Sequence, residues 1–176
     1  MKKHLLFVIL LACSVSVLHA QESCTPDSVV AIDRFSDFYR YENIYIGGQP
    51  FREQFNWFQA GGVLHLVNLR TEKEKRKFKR KYFDEEALAD SLGMTYTSVP
   101  IGGGRGEGID KLTAVAEVLN TGEQVLLYCK SGARARYVFA AYLVREKGCV
   151  QETAEEIAKE MGTYLPLKRM LGKEVK

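Results

Sequence analysis

The chain has 176 residues, of which 46% are hydrophobic and 27% are charged, with 25 Lys and Arg against 22 Asp and Glu. These proportions are those of an ordinary globular domain, and a chain of this length can bury a core without a metal or disulfide framework. They exclude a disordered, collagen-like or cysteine-stapled protein.

The first twenty residues have the pattern of a secretory signal peptide. Two lysines precede an apolar run over residues 5–17, and the small Ala20 marks the predicted cleavage site. The alternative is a lipoprotein signal, in which Cys13 would be acylated and retained at a membrane, although the apolar run continues past Cys13. No later segment has the roughly 18 apolar residues that a membrane-spanning helix needs. We therefore expect an exported chain, periplasmic or secreted.

Cleavage after Ala20 bears on both charge and cysteine chemistry. It removes two lysines and no acids, so the remaining chain is nearly neutral, which argues against nucleic-acid binding. It also leaves Cys24, Cys129 and Cys149 in an oxidising compartment, where three cysteines cannot all pair within one chain. Cys24 and Cys149 are interpreted as spectators or as a pair, and at least one thiol stays free.

The remaining sequence alternates β-rich and helical runs, which predicts an α/β domain with a largely parallel sheet. We expect an N-terminal tail over residues 21–39 and a single domain over residues 40–176. The predicted strands are residues 45–46, 63–69, 94–99 and 125–128. The predicted helices are residues 51–60, 71–92, 109–119, 134–147, 151–161 and 165–171, with a glycine-rich loop over residues 100–108. The uncharged segment 137–144 predicts a helix that is mostly buried against the sheet.

Residues 125–136 (VLLYCKSGARAR) place a cysteine at the end of a buried strand and an arginine at the start of a helix. In such a loop, backbone N–H groups and the helix N-terminus form a concave anion site, and the positive helix end stabilises a thiolate. Cys129 is therefore the predicted nucleophile. Gly132 lets the loop curl towards the anion, and the planar guanidinium of Arg134 can hold two oxygens of a phosphate or sulfur oxyanion. The anion-binding N–H groups would come from Lys130, Ser131, Gly132 and Ala133.

Four short motifs carry a resemblance to a known family. In chain order they are residues 45–50 (YIGGQP), 67–70 (VNLR), 99–101 (VPI) and 128–134 (YCKSGAR). Together they resemble the protein-tyrosine and dual-specificity phosphatase superfamily and, within it, the small bacterial beta-lactamase hydrolase-like, phosphatase-like group. The resemblance covers roughly residues 40–148. It implies a four- or five-stranded sheet flanked by helices, a catalytic domain that forms a cysteinyl-phosphate intermediate, and no metal or other cofactor.

The cysteine loop departs from the superfamily pattern in its length. Four residues separate Cys129 from Arg134 where five are usual, Ala135 stands where the arginine is expected, and Tyr128 replaces the usual histidine. The bacterial group shares this short spacing. So do rhodanese-type sulfurtransferases, in which the cysteine carries a persulfide. The substrate is therefore expected to be a phosphorylated compound or a sulfur oxyanion, and a non-catalytic phosphate-binding module is a third interpretation.

The general acid is the second departure. The superfamily usually supplies an aspartate shortly after the Val-Pro of the neighbouring loop, whereas residues 100–110 here read PIGGGRGEGID. Glu107 is the candidate acid in its place, and Asp110 is equally explained as a helix N-terminal residue. Arg105 is a candidate contact for an anionic substrate or a solvated loop charge. Arg70 and Gln49 are candidate site-lining residues, with a structural ion pair and a turn as their respective alternatives.

A basic run and a lone histidine have structural interpretations. Residues 73–81 hold a dense basic run, balanced in part by nearby acids, which is interpreted as a solvated helix face in preference to a polyanion-binding patch. His65 lies within an apolar strand and has no second histidine or carboxylate at metal-ligand spacing, so no metal site is expected.

Overall fold

The computed structural model describes residues 24–102, 108–164 and 167–171. A short 3-10 helix (Pro26–Ser28) is followed by the strands β1 (Val29–Ala31), β2 (Phe38–Tyr41), β3 (Ile44–Gly47), β4 (His65–Asn68), β5 (Thr95–Ser98) and β6 (Val125–Tyr128). The helices are α1 (Arg52–Ala60), α2 (Glu72–Lys81), α3 (Glu85–Ser91), α4 (Gly108–Leu119), α5 (Ala133–Glu146), α6 (Gln151–Glu160) and α7 (Lys168–Leu171). The predicted α/β class is confirmed.

The strands form one sheet in the order β1-β2-β3-β6-β4-β5. Strands β3, β6, β4 and β5 run parallel, whereas β1 and β2 extend the sheet beyond β3 as antiparallel neighbours. In the parallel register, Tyr128 lies opposite both Gly47 and Asn68. The carboxyl ends of β3, β6 and β4 therefore meet at one edge, which is where open α/β sheets bind their ligands.

Side chains alternate between the two faces of the sheet and build a core on each. On one face, residues such as Ile46 and Leu127 pack against α4, α5, α6 and α7. On the other, residues such as Leu66 and Leu126 pack against α1 and α3. Every residue of α5 from Ala135 to Val144 is buried, as the uncharged segment predicts.

The sheet has more strands than the four or five expected, because part of the predicted N-terminal tail, residues 21–39, belongs to it. Strand β1 pairs with β2, which pairs with β3. The turns on either side of β2 place Asp37 and Glu42 in the left-handed region, at φ 68° and 50°. Neither turn contains glycine, the residue that usually signals such a turn, so the pattern concealed these two strands.

The single helix predicted over residues 71–92 is wrong, since the segment forms α2 and α3. Tyr82 leaves the helical conformation at φ −126° and ψ −79°. Phe83 contacts the rings of Phe55 and Phe78, and the side chain of Asp84 then caps α3 by accepting a hydrogen bond from the amide of Ala87. The hydrophobic anchor and the cap outweigh the high helix propensity of the intervening residues.

Cysteines 24 and 149 form a disulfide with their Cα atoms 5.7 Å apart, and Cys129 is the free cysteine of the described residues. The bond fastens the segment before β1 to the end of α5. Within residues 24–102, 108–164 and 167–171, we find no helix with both the length and the apolar character needed to cross a membrane.

Gly47, at the end of β3, cannot accept a side chain. A Cβ atom there would lie 2.3 Å from the buried ring of Phe38 on the neighbouring strand. We expect Gly47→Ala to lower the free energy of unfolding by about 1–3 kcal/mol, because the ring must move within a packed core. The matched control is Gly48→Ala, whose Cβ would meet its nearest atom at an ordinary 3.6 Å. Urea unfolding of the two variants tests this, and equal losses would contradict it.

Candidate active site

Cys129 follows the last residue of β6 and is fully buried. Its amide donates to the carbonyl of Gly47 at 3.3 Å, and two residues further on Ser131 forms a β-bridge with Gly48. The amide of Gln49 donates to the carbonyl of Lys130, also at 3.3 Å. The segment after β3 therefore runs beside the cysteine loop and fixes its backbone.

Gly132 turns the cysteine loop into α5, which begins at the half-buried Ala133. Its φ of 83° is a conformation that residues with side chains rarely adopt. A Cβ atom at this position would also lie 2.9 Å from Nη2 of Arg136. This glycine therefore makes the turn between the loop and α5, and the first turn of α5, whose amides have no partner within the helix, follows directly after it.

The guanidinium of Arg134, on the first turn of α5, lies close enough to the Cys129 sulfur for an electrostatic attraction between them. Its Nη1 and Nη2 donate to the two carboxylate oxygens of Glu74 at 2.9 and 2.7 Å. Nη1 also donates to the carbonyls of Leu69 and Ile101 at 3.2 and 2.8 Å. Burial alone would lower the pKa of Arg134, but its contacts with the Glu74 carboxylate and the sulfur raise it. The guanidinium is therefore a fixed positive charge.

Glu74 is a site residue that the sequence analysis missed, since it lies within the charged run interpreted as a solvated helix face. Partial burial alone would raise the pKa of Glu74, but hydrogen bonds from Arg134 and Thr71 lower it to about 2. Thr71 donates from its amide and its hydroxyl to the carboxylate, and Thr71 Oγ1 accepts from the amide of Glu74. The T-x-x-E spacing of this capping box was the available signal, because it places Glu74 at the start of a helix that follows β4.

A buried polar cluster supports the cysteine loop from beneath. The carboxylate of Glu85 forms an ion pair with Arg70, and its Oε1 accepts from Gln49 Nε2 at 2.7 Å and from the Tyr128 hydroxyl at 3.0 Å. Tyr128 immediately precedes Cys129, so the cluster acts on the loop through the chain itself. Burial raises the pKa of Tyr128 well above 10, which keeps its hydroxyl protonated as a donor.

The two predicted roles of Arg70 are lining the site and forming a structural ion pair. Arg70 is 2% exposed, forms an ion pair with Glu85 and stacks on the ring of Phe78 at 4.6 Å. Burial lowers its pKa. Gln49 is half-buried and binds Glu85 beside the loop, a contact that its interpretation as a turn residue did not anticipate.

Of the remaining predicted site residues, some are exposed and others lie outside the described part of the chain. Lys130 and Ser131 are exposed on the loop. Glu107 and Arg105 lie outside the described residues. Asp110 is exposed in the first turn of α4. Among residues 24–102, 108–164 and 167–171, no three His, Cys, Asp or Glu side chains are grouped so as to hold a metal ion.

Solved structures share this architecture. TpbA from P. aeruginosa, in a complex with phosphotyrosine, matches with a TM-score of 0.62 and 20% identity over 78% of this chain and 82% of its own. PTPMT1 matches with a TM-score of 0.61 and 18% identity over 76% and 90%. A DUF442 phosphatase from Shewanella putrefaciens CN-32 matches with a TM-score of 0.53 and 16% identity over 77% and 88%.

This chain has the protein-tyrosine and dual-specificity phosphatase fold. Among curated proteins, beta-lactamase hydrolase-like proteins from two Xylella fastidiosa strains are each 31% identical to it over 99 residues, or 56% of this chain. The chain spans 23% of the length of these relatives. No family model matches the sequence. The resemblance drawn from the four motifs, to the phosphatase superfamily and to the beta-lactamase hydrolase-like group, is confirmed.

Within this phosphatase fold, we expect the contribution of Glu74 to stability to depend on pH. Its pKa is about 2 in the folded chain against an ordinary 4.5, so its ionised form stabilises the fold fully above pH 4.5, and the effect is lost as the pH falls through about 2. Glu74→Gln should therefore lower the free energy of unfolding at pH 7, by on the order of 1–3 kcal/mol, and by less at pH 3.

Urea unfolding at the two pH values measures this difference. Glu72→Gln, on the same helix, is the control, because Glu72 is 59% exposed and pairs only with Lys75 among the described residues. A loss in Glu74→Gln that is the same at both pH values would show that the ion pair with Arg134 is not its cause.

The buried hydroxyl of Tyr128 gives a second test within the phosphatase fold. We expect Tyr128→Phe to lower the free energy of unfolding by about 1–3 kcal/mol, because Glu85 would lose a buried hydrogen-bond donor. Tyr45→Phe is the matched control. Its ring is also buried against α1, and its hydroxyl has no protein partner among the described residues. Equal stability of wild type and Tyr128→Phe in thermal unfolding would contradict the role given to the cluster.

Proposed function

We propose that this chain is a cysteine-dependent phosphatase that hydrolyses phosphomonoesters, on a phosphoprotein or a small molecule, with Cys129 as the nucleophile. One observation carries the proposal. The Arg134 guanidinium is fixed beside the Cys129 sulfur at the edge where β3, β6 and β4 end. An anionic sulfur and a phosphoryl group approaching it both need a preorganised positive charge at this point.

The hydrogen bonds of Arg134 to other described residues leave one edge of its guanidinium for the substrate. Arginine has five N–H donors, and Glu74 with the two carbonyls engages both hydrogens of Nη1 and one of Nη2. The Nε hydrogen and the second Nη2 hydrogen lie on the adjacent edge. With two hydrogens, that edge can donate to two phosphate oxygens of a bound substrate, and the amides of residues 130–134 would hold the other oxygen.

The reaction would proceed in two displacements. The anionic Cys129 sulfur attacks phosphorus, so that an S–P bond forms while the P–O bond to the leaving group breaks, and an acid protonates the leaving oxygen. Water then attacks phosphorus and gives up a proton to the conjugate base of that acid, while the S–P bond breaks. Orthophosphate leaves, and the sulfur is again anionic.

Glu107 is proposed as the acid, with water as the alternative, and Arg105 as a contact for an anionic substrate. Both residues come after the Val-Pro segment in the sequence. Ile101 directly follows that segment, and its carbonyl accepts a hydrogen bond from Arg134. This contact ties the start of the glycine-rich loop to the site and supports the assignment. The proton transfer itself requires a carboxyl group within hydrogen-bond reach of the leaving oxygen.

A sulfurtransferase is the second candidate, and one feature favours it. Four residues separate Cys129 from Arg134, the spacing expected of a persulfide-carrying loop. In that reaction the Cys129 sulfur would take a sulfur atom from thiosulfate, releasing sulfite, and pass it to cyanide or a thiol. The phosphatase is preferred because the matched structures of this fold include phosphatases and a phosphotyrosine complex.

Export of the chain is part of the same proposal. The signal-like residues 1–20 precede a segment whose Cys24 is bonded to Cys149, and such disulfides persist in oxidising compartments. We propose a periplasmic or secreted location, with anchoring through Cys13 as the alternative.

A pair of assays tests the proposed reaction. Purified protein receives a chromogenic aryl phosphate and, separately, thiosulfate with cyanide, each beside Cys129→Ser. We expect phosphate release that Cys129→Ser abolishes, because the serine hydroxyl is far less acidic than the thiol. Cys149→Ser with Cys24→Ser is the control, since it removes sulfur atoms remote from the loop.

Each alternative has its own result. Thiocyanate formation without phosphate release would replace the phosphatase by the sulfurtransferase. If neither assay gives product and the protein still binds orthophosphate, the chain would be a non-catalytic phosphate-binding module.

A further inference from the structure

Helix α2 begins beside the proposed active site. At its start, Glu74 holds Arg134. At its end, Tyr82 packs edge-to-face on Phe51, with ring centroids 5.8 Å apart, and Phe51 directly precedes α1. Phe51 is three residues from Gly48, which pairs with Ser131, so its Cα lies within about 11 Å of that of Gly48. The end of α2 is thus anchored to the segment that runs beside the loop.

The outward face of α2 is a stripe of positive charge. Phe78 points inward onto Arg70, and the opposite face carries basic residues at the spacing i, i+3, i+4 and i+7. All four are exposed, and none has a carboxylate partner among the described residues: Lys73, Arg76, Lys77 and Arg80. The neighbouring cations Lys75 and Lys79, in contrast, pair with Glu72 and Asp84. We call the four unpaired residues the α2 stripe.

An aromatic groove of about 650 Å³ continues the α2 stripe at the end of the helix. Its walls include Phe51 and Tyr82, which are 54% and 50% exposed. Two further cations border it, with Arg52 over the ring of Phe83 and Lys81 over that of Tyr82, each at 5.0 Å. Two large exposed rings in contact, framed by cations, are unusual for a surface that only meets water.

The geometry points to the α2 stripe and the aromatic groove as a docking surface for an acidic peptide segment that flanks the phosphorylated residue of a protein substrate. This inference rests on the proposed function and specifies its substrate class. The four unpaired cations complement a run of Asp and Glu, and the groove has room for a large apolar side chain of that segment together with its neighbours. A concave groove suits an inserted side chain better than a membrane surface, which protruding rings would favour.

The dimensions of α2 set the position of that side chain. Lys81 comes seven residues after Glu74, which is about 10 Å along a helix. An extended peptide covers this distance in three or four residues. The apolar residue is therefore expected three or four positions from the phosphorylated residue, with acidic residues between and around them.

Three phosphotyrosine peptides test the inference. The first carries acidic residues and a phenylalanine three or four positions from the phosphotyrosine, the second replaces the acids by serine, and the third replaces the phenylalanine by serine. Each is made with the flank on either side. We expect kcat/KM for the first to exceed that for the second by about tenfold and to fall at high salt. The value of kcat/KM for the third peptide should lie between those for the first and the second.

Charge reversal on α2 supplies the matched variants. Arg76→Glu with Arg80→Glu should remove the preference for the acidic peptide and leave kcat/KM for an aryl phosphate unchanged. The control is Arg40→Glu with Lys159→Glu, which changes the net charge equally at exposed positions on β2 and α6. Phe51→Ala should lower only the part of kcat/KM that depends on the phenylalanine of the peptide. Equal kcat/KM for acidic and neutral peptides in the wild type, or an equal loss in the control, overturns the inference.

Binding measured without turnover separates this inference from the proposed function. Fluorescence anisotropy follows the labelled, unphosphorylated acidic peptide on wild type and on the α2 double variant. Weaker binding to the α2 variant supports docking even if the wild type hydrolyses no aryl phosphate, in which case only the proposed function fails. Aryl phosphate hydrolysis without any peptide preference overturns the docking surface alone. Tighter α2-dependent binding to phosphatidylglycerol vesicles than to the peptide would overturn the peptide as its occupant.

Discussion

The site depends on one ion pair, in which the Glu74 carboxylate holds the Arg134 guanidinium beside the Cys129 sulfur. A lone cation in this partly buried position would carry a desolvation cost, which the carboxylate and the two carbonyls offset. Because Glu74 lies in the first turn of α2 and Arg134 in the first turn of α5, the same contact joins the starts of these two helices.

The scaffold supplies this geometry through convergence of strand ends. The end of β3 pairs with the cysteine loop, the end of β6 carries the cysteine, and the segment after β4 leads into α2. Beneath them, the Glu85 carboxylate pairs with Arg70 and accepts hydrogen bonds from Gln49 and Tyr128. Each of the three strand ends thus contributes one side chain that contacts the same carboxylate. A loop held at its backbone and from below loses little further entropy when an anion binds.

Sequence patterns were sufficient for the elements with strong local signals. The strand and helix around Cys129, the glycine that turns between them and the buried segment of α5 all follow from periodicity and turn chemistry. The contacts that complete the site are non-local: Glu74 meets Arg134 across 60 residues, and Tyr128 meets Glu85 across 43. A charged run has the same appearance in a sequence whether one of its carboxylates faces water or a buried guanidinium. Strands β1 and β2 were missed because pairing with β3, rather than their own pattern, defines them.

Chemical trapping of the sulfur tests the central claim most directly. The protein is mixed with an aryl phosphate, quenched within milliseconds in acid, digested and analysed by mass spectrometry. The account predicts phosphate bound to the peptide that contains Cys129, at a level that rises when a less reactive attacking nucleophile replaces part of the water. Substrate turnover with that peptide unmodified, or with phosphate on another residue, would show that the guanidinium of Arg134 does not activate this sulfur for attack on phosphorus.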